Sequence, residues 1–195
     1  MIAATDVTGI ILCGGHSSRM GFNKALLMLD GQYVILQTAA KLKELFPAVV
    51  LMTNNQQNFR VSDAFAGYPI WEDDYQNSGP LGGLVTALAR VTTPYIFVTA
   101  CDIPNISLTM IRQLLNSVQS EQVILYQQDN HIESLFGLYH RSCLPLFTAQ
   151  LAQGNGQIRY YFPQLRVRLL SSPLTELRNI NTPAELPGWR IKGNV

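Results

Sequence analysis

The first half of the chain alternates between short apolar runs and longer stretches in which apolar residues recur every three or four positions. Continuous apolar runs rich in Ile, Val and Leu are typical of strands that are buried on both faces of a sheet. Buried strands are predicted at 10–12, 49–53 and 95–99, and a short strand is predicted at 68–71. A further short strand is predicted at 25–29, closed by the turn pair Asp30-Gly31.

Helices are predicted between these strands. A core-facing stripe at helical spacing follows the Gly79-Pro80 turn and consists of Leu81, Leu84, Val85, Leu88 and Val91. Two more helices are predicted at 33–46 and at 107–119, the second with Ser107 as its N-cap. The alternation predicts an α/β fold with a mostly parallel central sheet and helices on both faces. In such folds ligands bind at the carboxyl ends of the strands, so the loops after these four strands should line one crevice.

The second half of the chain is more irregular. Strands are predicted at 123–126 and 135–139, separated by a polar segment at 127–131. A helix at 142–153 is stopped by Gly154, and the alternating residues around Val167 predict a half-exposed strand. A capping box at 182–185 predicts the start of one more helix near the end of the chain. Because no repeat or linker divides the chain, one domain is predicted over 1–195, with a short tail at 187–195.

Composition and charge narrow the class of protein. Hydrophobic residues make up 47% of the chain and charged residues 14%, which argues against disorder. The net charge is +1 and the 14 Lys and Arg are scattered, so a nucleic-acid partner is not expected. Three cysteines without a Cys-x-x-Cys pair predict reduced, buried thiols. With no secretory signal and no apolar run of the ~20 residues that a membrane helix needs, we expect a cytoplasmic protein without a membrane partner.

The first predicted strand leads directly into a glycine-rich loop that carries two cations. Gly14, Gly15 and Gly21 fit neither a Walker A motif nor a dinucleotide fingerprint, and a glycine pair alone would be explained by a tight turn. The cations Arg19 and Lys24 make the pattern more specific. Backbone N–H groups beside a guanidinium and an ammonium suit the β- and γ-phosphates of a nucleoside triphosphate.

Two aspartates follow other predicted strands. Asp102 ends the strand at 95–99 and is either a turn residue or a ligand of Mg²⁺, which prefers carboxylate oxygen supplemented by substrate phosphates. Its position at the expected crevice favours the metal role. Asp73 belongs either to a solvated acidic turn or to a contact with nucleotide or metal. The three histidines match no catalytic or metal-binding spacing.

Four motifs occur in one order along the chain and together resemble a known family. They are Leu12-Cys13-Gly14-Gly15-x-Ser17-x-Arg19-Met20-Gly21-x-x-Lys24, Gly79-Pro80-Leu81-Gly82-Gly83, Cys101-Asp102-x-Pro104 and Asn179-x-Asn181-Thr182-Pro183. The chain resembles the molybdenum cofactor guanylyltransferases, which are nucleotidyltransferases of Rossmann-like fold, over residues 8–186. The resemblance implies transfer of GMP from GTP to the molybdopterin cofactor with release of pyrophosphate and a requirement for Mg²⁺. It also implies transient contact with proteins that deliver or receive the cofactor.

The resemblance assigns roles to particular residues. Arg19, Lys24 and Asp102 would serve catalysis, with Asp102 as the Mg²⁺ ligand and Lys24 on the triphosphate. The nucleotide site would contain Leu12, Cys13, Gly14, Gly15, Asn54, Asp73 and Gly82, and the pterin acceptor would face Asn179 and Asn181. Relatives that use CTP tend to have Ala where this chain has Gly14, so Gly14 favours guanine.

The chain departs from the family pattern at three places. Asn23 replaces the Asp before the lysine, Cys13 replaces an alanine, and Glu133-Ser134 stands where His-Pro or Gln-Pro is common. Two other interpretations stay open at this point. One is a nucleotidyltransferase that uses CTP or acts on a sugar or alcohol phosphate, and the other is a catalytically weak nucleotide-binding partner in cofactor delivery.

Overall fold

In the computed structural model, which describes residues 1–13, 24–29, 31–103 and 106–171, strands and helices alternate from Val7 onwards. The strands are β1 (Val7–Leu12), β2 (Met28–Leu29), β3 (Gln32–Tyr33), β4 (Ala48–Thr53), β5 (Ile70–Glu72), β6 (Tyr95–Ala100), β7 (Val123–Gln128), β8 (His131–His140) and β9 (Val167–Ser171). The α-helices are α1 (Val34–Lys43), α2 (Gly79–Arg90), α3 (Leu108–Ser117) and α4 (Leu144–Ala152).

One sheet contains seven of these strands in the order β5-β4-β1-β6-β8-β7-β9. β5, β4, β1 and β6 are mutually parallel, β8 is antiparallel to both β6 and β7, and β9 is parallel to β7. β2 and β3 form a separate small hairpin. All six residues of β1 are buried, as expected for a central parallel strand that is covered on both faces.

Helices cover both faces of the sheet, and side chains that alternate along each strand serve the two faces in turn. Ile11 of β1 packs in the cluster that contains the apolar residues of α1 and α3. Its neighbours Ile10 and Leu12 pack in the opposite cluster with α2 and α4. The predicted fold class, a mostly parallel sheet between helices, is therefore confirmed.

Most predicted elements occur with boundaries that differ by a few residues, and two predictions are wrong in part. The strand predicted at 25–29 is instead the 3₁₀ helix Lys24–Leu26 followed by β2. The polar segment at 127–131 belongs mostly to β7 and β8, which join through a short turn at Asp129, whose φ is 52°. Its polarity misled the prediction because ladder hydrogen bonds use the backbone, and most of these side chains are exposed. The capping box at 182–185 and the tail lie outside the described residues.

The predicted N-cap is confirmed, because the Ser107 hydroxyl accepts a hydrogen bond from the Met110 N–H at the start of α3. The 3₁₀ helix Ile158–Gln164 was not predicted, and its interior Pro163 obscures the helical pattern. Within the ranges that the structure describes, no helix is both long enough and apolar enough to cross a lipid bilayer.

Gly137→Ala is expected to lower the free energy of unfolding by about 2 kcal/mol. A Cβ at Gly137 would lie 2.2 Å from Leu125 Cδ2 and 2.6 Å from the Ile124 carbonyl oxygen, which belongs to the backbone of the adjacent strand and cannot move aside alone. Urea titration followed by circular dichroism measures the change. Gly67→Ala is the matched control, because its Cβ would meet no atom within 4 Å. Equal stability of the two variants would contradict the prediction.

Candidate functional site

The carboxyl ends of the four parallel strands lie side by side, and backbone hydrogen bonds continue past them. The Cys13 N–H donates to the Met52 carbonyl at 2.7 Å, and the Cys101 N–H donates to the Leu12 carbonyl at 3.1 Å. The Asp73 N–H donates to Thr53 O at 2.8 Å. The loops after β1, β4, β5 and β6 therefore start at one edge of the sheet, where α/β proteins bind ligands.

The structure brings part of the predicted site together at this edge. The residues described here are Leu12, Cys13, Asn54, Asp73, Gly82 and Asp102. For Lys24 the structure gives the backbone, which begins the 3₁₀ helix Lys24–Leu26. The remaining predicted site residues, Gly14, Gly15, Arg19, Asn179 and Asn181, lie outside the described residues.

Asp73 is held in a defined orientation directly after β5. Asp73 is only 6% exposed. Its Oδ1 accepts hydrogen bonds from the Tyr75 N–H at 2.8 Å and from the Thr86 hydroxyl at 3.0 Å. The Thr86 oxygen in turn accepts from the Asp74 N–H at 3.1 Å. A buried carboxylate with two donors on one oxygen is not the solvated acidic turn that the sequence also allowed.

Burial raises the pKa of Asp73 above its ordinary range. The hydrogen bonds from Tyr75 and Thr86 oppose this shift, and Asp74 reinforces it by its like charge. Arg90 lowers the pKa of Asp73 more weakly; it forms an ion pair with Asp74 and lies over the Trp71 ring, 6.0 Å from the centroid. The hydrogen bonds and Arg90 thus offset part, but not all, of the cost of burying the ionised carboxylate.

The glycine pair in α2 allows the helix to approach Asp73 and the strand ends closely. A Cβ at Gly82 would lie 2.8 Å from Asp73 Oδ2 and 2.8 Å from the Tyr75 carbonyl oxygen. A Cβ at Gly83 would lie 3.0 Å from Leu12 Cδ2. Gly82 is therefore required by close packing, and its nearest neighbours are Asp73 and Tyr75.

The loops after β4 and β5 are tied together by a residue that the sequence did not single out. The Gln76 amide donates to the carbonyl oxygens of Asn54 and Asp73, at 3.2 and 3.3 Å. Sequence reasoning also missed Thr86. A signal was available, because Thr86 lies four residues after Gly82 and so falls on the same face of the helix.

Asp102 follows β6 and is 8% exposed. The next residue is anchored from the neighbouring helix, because the buried Thr38 hydroxyl of α1 donates to the Ile103 carbonyl at 3.1 Å. No group of three or more His, Cys, Asp and Glu side chains that could hold a metal occurs in the described part of the chain. A carboxylate donor of this kind fits Mg²⁺, which takes one or two carboxylates and completes its shell with substrate phosphates and water.

Two thiols, those of Cys13 and Cys101, lie at this edge of the sheet. Burial raises the pKa of the Cys13 thiol well above its ordinary value, and the adjacent Cys101 thiol acts in the same direction. The Cys13 thiol donates to the Ile11 carbonyl at 3.2 Å. The Cys13 thiol is therefore neutral at physiological pH and is not suited to act as a nucleophile. Cys101 is buried, as the sequence predicted, whereas Cys13 is partly exposed.

Asp73→Asn is expected to raise the thermal unfolding temperature at pH 7. A raised pKa means that the folded state binds the proton more tightly than the unfolded chain does. At pH values above the ordinary aspartate pKa of 3.8, ionised Asp73 therefore destabilises the fold. The advantage of the variant should shrink as the pH falls towards 3.8. Scanning calorimetry from pH 3.5 to 8 measures this. Asp74→Asn, which removes a paired and more exposed carboxylate, should give no gain; a less stable Asp73→Asn at pH 7 would contradict the prediction.

The sequence similarity to other proteins extends over nearly the whole chain. The chain is 31% identical to a probable molybdenum cofactor guanylyltransferase from Carboxydothermus hydrogenoformans, over 92% of this chain and 93% of the relative. It is also 31% identical to the molybdenum cofactor guanylyltransferase of Vibrio cholerae, over 93% and 90% of the two chains.

A solved structure has the same fold. It is that of molybdopterin-guanine dinucleotide biosynthesis protein A from Archaeoglobus fulgidus, with a TM-score of 0.78 and 20% identity over 91% of this chain and 94% of that chain. The family model described as the MobA-like NTP transferase domain matches residues 9–167, a range that includes most of β1 and all of β6 and α2. The chain therefore belongs to the MobA-like NTP transferase family and is a nucleotidyltransferase.

Proposed function

We propose that this enzyme transfers GMP from GTP to the phosphate of the molybdopterin cofactor, giving the guanine dinucleotide form and pyrophosphate. The observation that carries the proposal is the convergence of buried Asp73 and Asp102 with the start of the glycine-rich loop at one edge of the parallel sheet. The names of the relatives supply the acceptor, since both are described as molybdenum cofactor guanylyltransferases.

The chemistry needs positioning more than proton transfer. An oxygen of the acceptor phosphate forms a bond to the α-phosphorus of GTP, and the bond from that phosphorus to the β-phosphate oxygen breaks. Because the attacking oxygen is already anionic, no general base is required. The protein has to hold two polyanions in line and neutralise the charge that develops on the leaving pyrophosphate. In this proposal Arg19 and Lys24 bind the triphosphate and supply that positive charge.

Asp102 would hold Mg²⁺ together with oxygens of the triphosphate. When bound, the ion supplies Lewis-acid neutralisation of the phosphate charge. Asp102 suits this role because it is buried at the strand edge, and its neighbour Ile103 is anchored by Thr38. The carboxylate is thus attached to the rigid sheet rather than to an unsupported loop.

The nucleoside part of GTP would contact the residues around the β1 and β5 ends. We assign Leu12, Cys13, Gly14, Gly15, Asn54, Asp73 and Gly82 to this part of the site, and Asn179 and Asn181 to the pterin acceptor. Asp73 offers a carboxylate oxygen to N–H or O–H donors of the nucleoside. Gly14 would favour guanine over cytosine. We further propose that the enzyme acts in the cytoplasm and passes its product to cofactor-carrying proteins through transient contacts.

A guanylyl-transfer assay tests the proposal. Purified protein with GTP, MgCl₂ and molybdopterin cofactor is expected to release pyrophosphate and form the guanine dinucleotide, whereas CTP should give little product. A preference for CTP would indicate a cytidylyltransferase. Binding of GTP without release of pyrophosphate in the presence of acceptor would instead indicate a nucleotide-binding partner in cofactor delivery.

A further inference from the structure

Thr86 is a polar residue in the most buried part of α2. It is 0% exposed and stands within the run Leu81–Leu88, every residue of which is buried. A buried hydroxyl is costly unless it is hydrogen-bonded. The Thr86 hydroxyl is used twice, because it donates to Asp73 Oδ1 at 3.0 Å and accepts from the Asp74 N–H at 3.1 Å.

These bonds fix which oxygen of Asp73 remains for a ligand. Oδ1 already accepts from Thr86 and from the Tyr75 N–H at 2.8 Å. Within the described ranges Oδ2 accepts no hydrogen bond, and it lies where α2 has glycines, 2.8 Å from the position of a Cβ at Gly82. Rotation of the carboxylate plane away from this orientation would break both of these hydrogen bonds. Thr86 and the Tyr75 backbone therefore hold the orientation of the carboxylate and leave the oxygen beside Gly82 available to a further donor.

Thr86 also acts on the charge of Asp73. Its hydrogen bond lowers the pKa of Asp73, together with that from Tyr75, against the rise caused by burial. The charged groups that act on Asp73 are Asp74, which raises its pKa, and Arg90 of α2, which lowers it. Leu12 and Met52, the side chains nearest to Gly83 at the ends of β1 and β4, are apolar. Loss of the Thr86 hydroxyl would leave fewer donors to hold the ionised form.

We propose that Thr86 is a positioning residue for the nucleotide, which holds Asp73 so that its Oδ2 accepts a hydrogen bond from an N–H or O–H group of the nucleoside. This inference rests on the proposed function, since it takes a nucleoside triphosphate as the ligand of this site. Thr86 itself does not touch the nucleotide. Its contribution is made in binding, so it should affect KM rather than kcat.

Three variants test the proposal in the full-length protein. Thr86→Val keeps the shape of the side chain without the hydroxyl, and Thr86→Ser keeps the hydroxyl. Thr8→Val is the matched control, because Thr8 is also buried and hydrogen-bonded, to Thr93 at 2.9 Å, but lies near the amino end of β1. GTP affinity is measured by titration calorimetry from pH 5 to 8, and kcat and KM are measured in the transfer assay.

Thr86→Val is expected to bind GTP roughly tenfold more weakly at pH 7, with a matching rise in KM and a kcat within about twofold of wild type. Its affinity should fall at a higher pH than that of wild type on acidification, because Asp73 then protonates more readily. Thr86→Ser should restore both properties, and Thr8→Val should match wild type. In an Asp73→Asn background, Thr86→Val should add no further loss of affinity.

Unchanged KM and pH profile in Thr86→Val, or failure of Thr86→Ser to restore them, would overturn the inference. If Thr86→Val does not fold, Thr86→Ala replaces it with the same expectations, since alanine is the best helix former. Wild-type protein that binds no nucleotide would refute the proposed function instead. The two failures are distinguishable, because the first is seen in the variants and the second in the wild-type protein. A merely structural Thr86 would change the unfolding temperature but not the pH at which GTP affinity is lost.

Discussion

Asp102→Asn is expected to lower guanylyl transfer about a thousandfold, an effect comparable to the loss of other strong electrostatic contributions to phosphate chemistry. Asparagine has nearly the same shape as aspartate, so the packing of a residue that is 8% exposed should be retained. What is lost is the negative charge that binds a hard divalent cation. The unfolding temperature should therefore change little, whereas the response of turnover to Mg²⁺ should largely disappear.

Initial rates of pyrophosphate release across a MgCl₂ titration measure this effect. Asp129→Asn is the matched control, because Asp129 lies exposed in the β7–β8 turn, where asparagine tolerates its positive φ of 52°. The control should titrate with Mg²⁺ like wild type. A full Mg²⁺ response in Asp102→Asn would refute the assignment of Asp102 as the metal ligand.

Lys24→Ala is expected to reduce guanylyl transfer by a factor of about a hundred or more, because a cation on the triphosphate stabilises the charge that builds up on the leaving pyrophosphate. The substitution is made at the start of the 3₁₀ helix Lys24–Leu26, where alanine is compatible with the helical backbone. Folding should be preserved. The loss should fall on kcat as well as on KM, since the charge that Lys24 neutralises grows in the transition state.

Steady-state kinetics with GTP and acceptor, together with thermal unfolding, separate these effects. Lys41→Ala in α1 removes one positive charge elsewhere and is the control for a general electrostatic effect. It should retain wild-type kinetics. Unchanged transfer in Lys24→Ala would remove Lys24 from the triphosphate site, and equal losses in both lysine variants would point to net charge rather than to a specific contact.

The strands could be predicted from the sequence where their residues are uniformly buried. The prediction failed where polar side chains belong to residues that pair in the sheet. β1, β4 and β6 have apolar residues on both faces, and their sequences show this directly. The residues at 127–131 are polar, and this polarity predicts a segment that separates two strands. In the structure they extend β7 and β8, because an antiparallel hairpin satisfies its backbone whatever its exposed side chains are.

The candidate site shows the same division. Asp73 and Asp102 could be named from the sequence, because each follows a strand that the pattern locates, and Gly82 was implied by the family resemblance. Their partners could not be named. Gln76 could not be predicted from the sequence, because its amide joins two loops whose separation depends on the pairing of β4 with β5.

The sequence by itself determined the class of fold, the edge of the sheet at which a ligand is expected and the family, since periodicity and motifs are local properties of the chain. Only the tertiary structure decided how the Asp73 side chain is held. Its hydrogen bond to Thr86 spans 13 residues and depends on how closely α2 packs over the strand ends. That approach is set by the absence of side chains at Gly82 and Gly83, and a hydrogen bond forms only within a few tenths of an ångström. Distances of this kind arise from packing between elements, which no local pattern encodes.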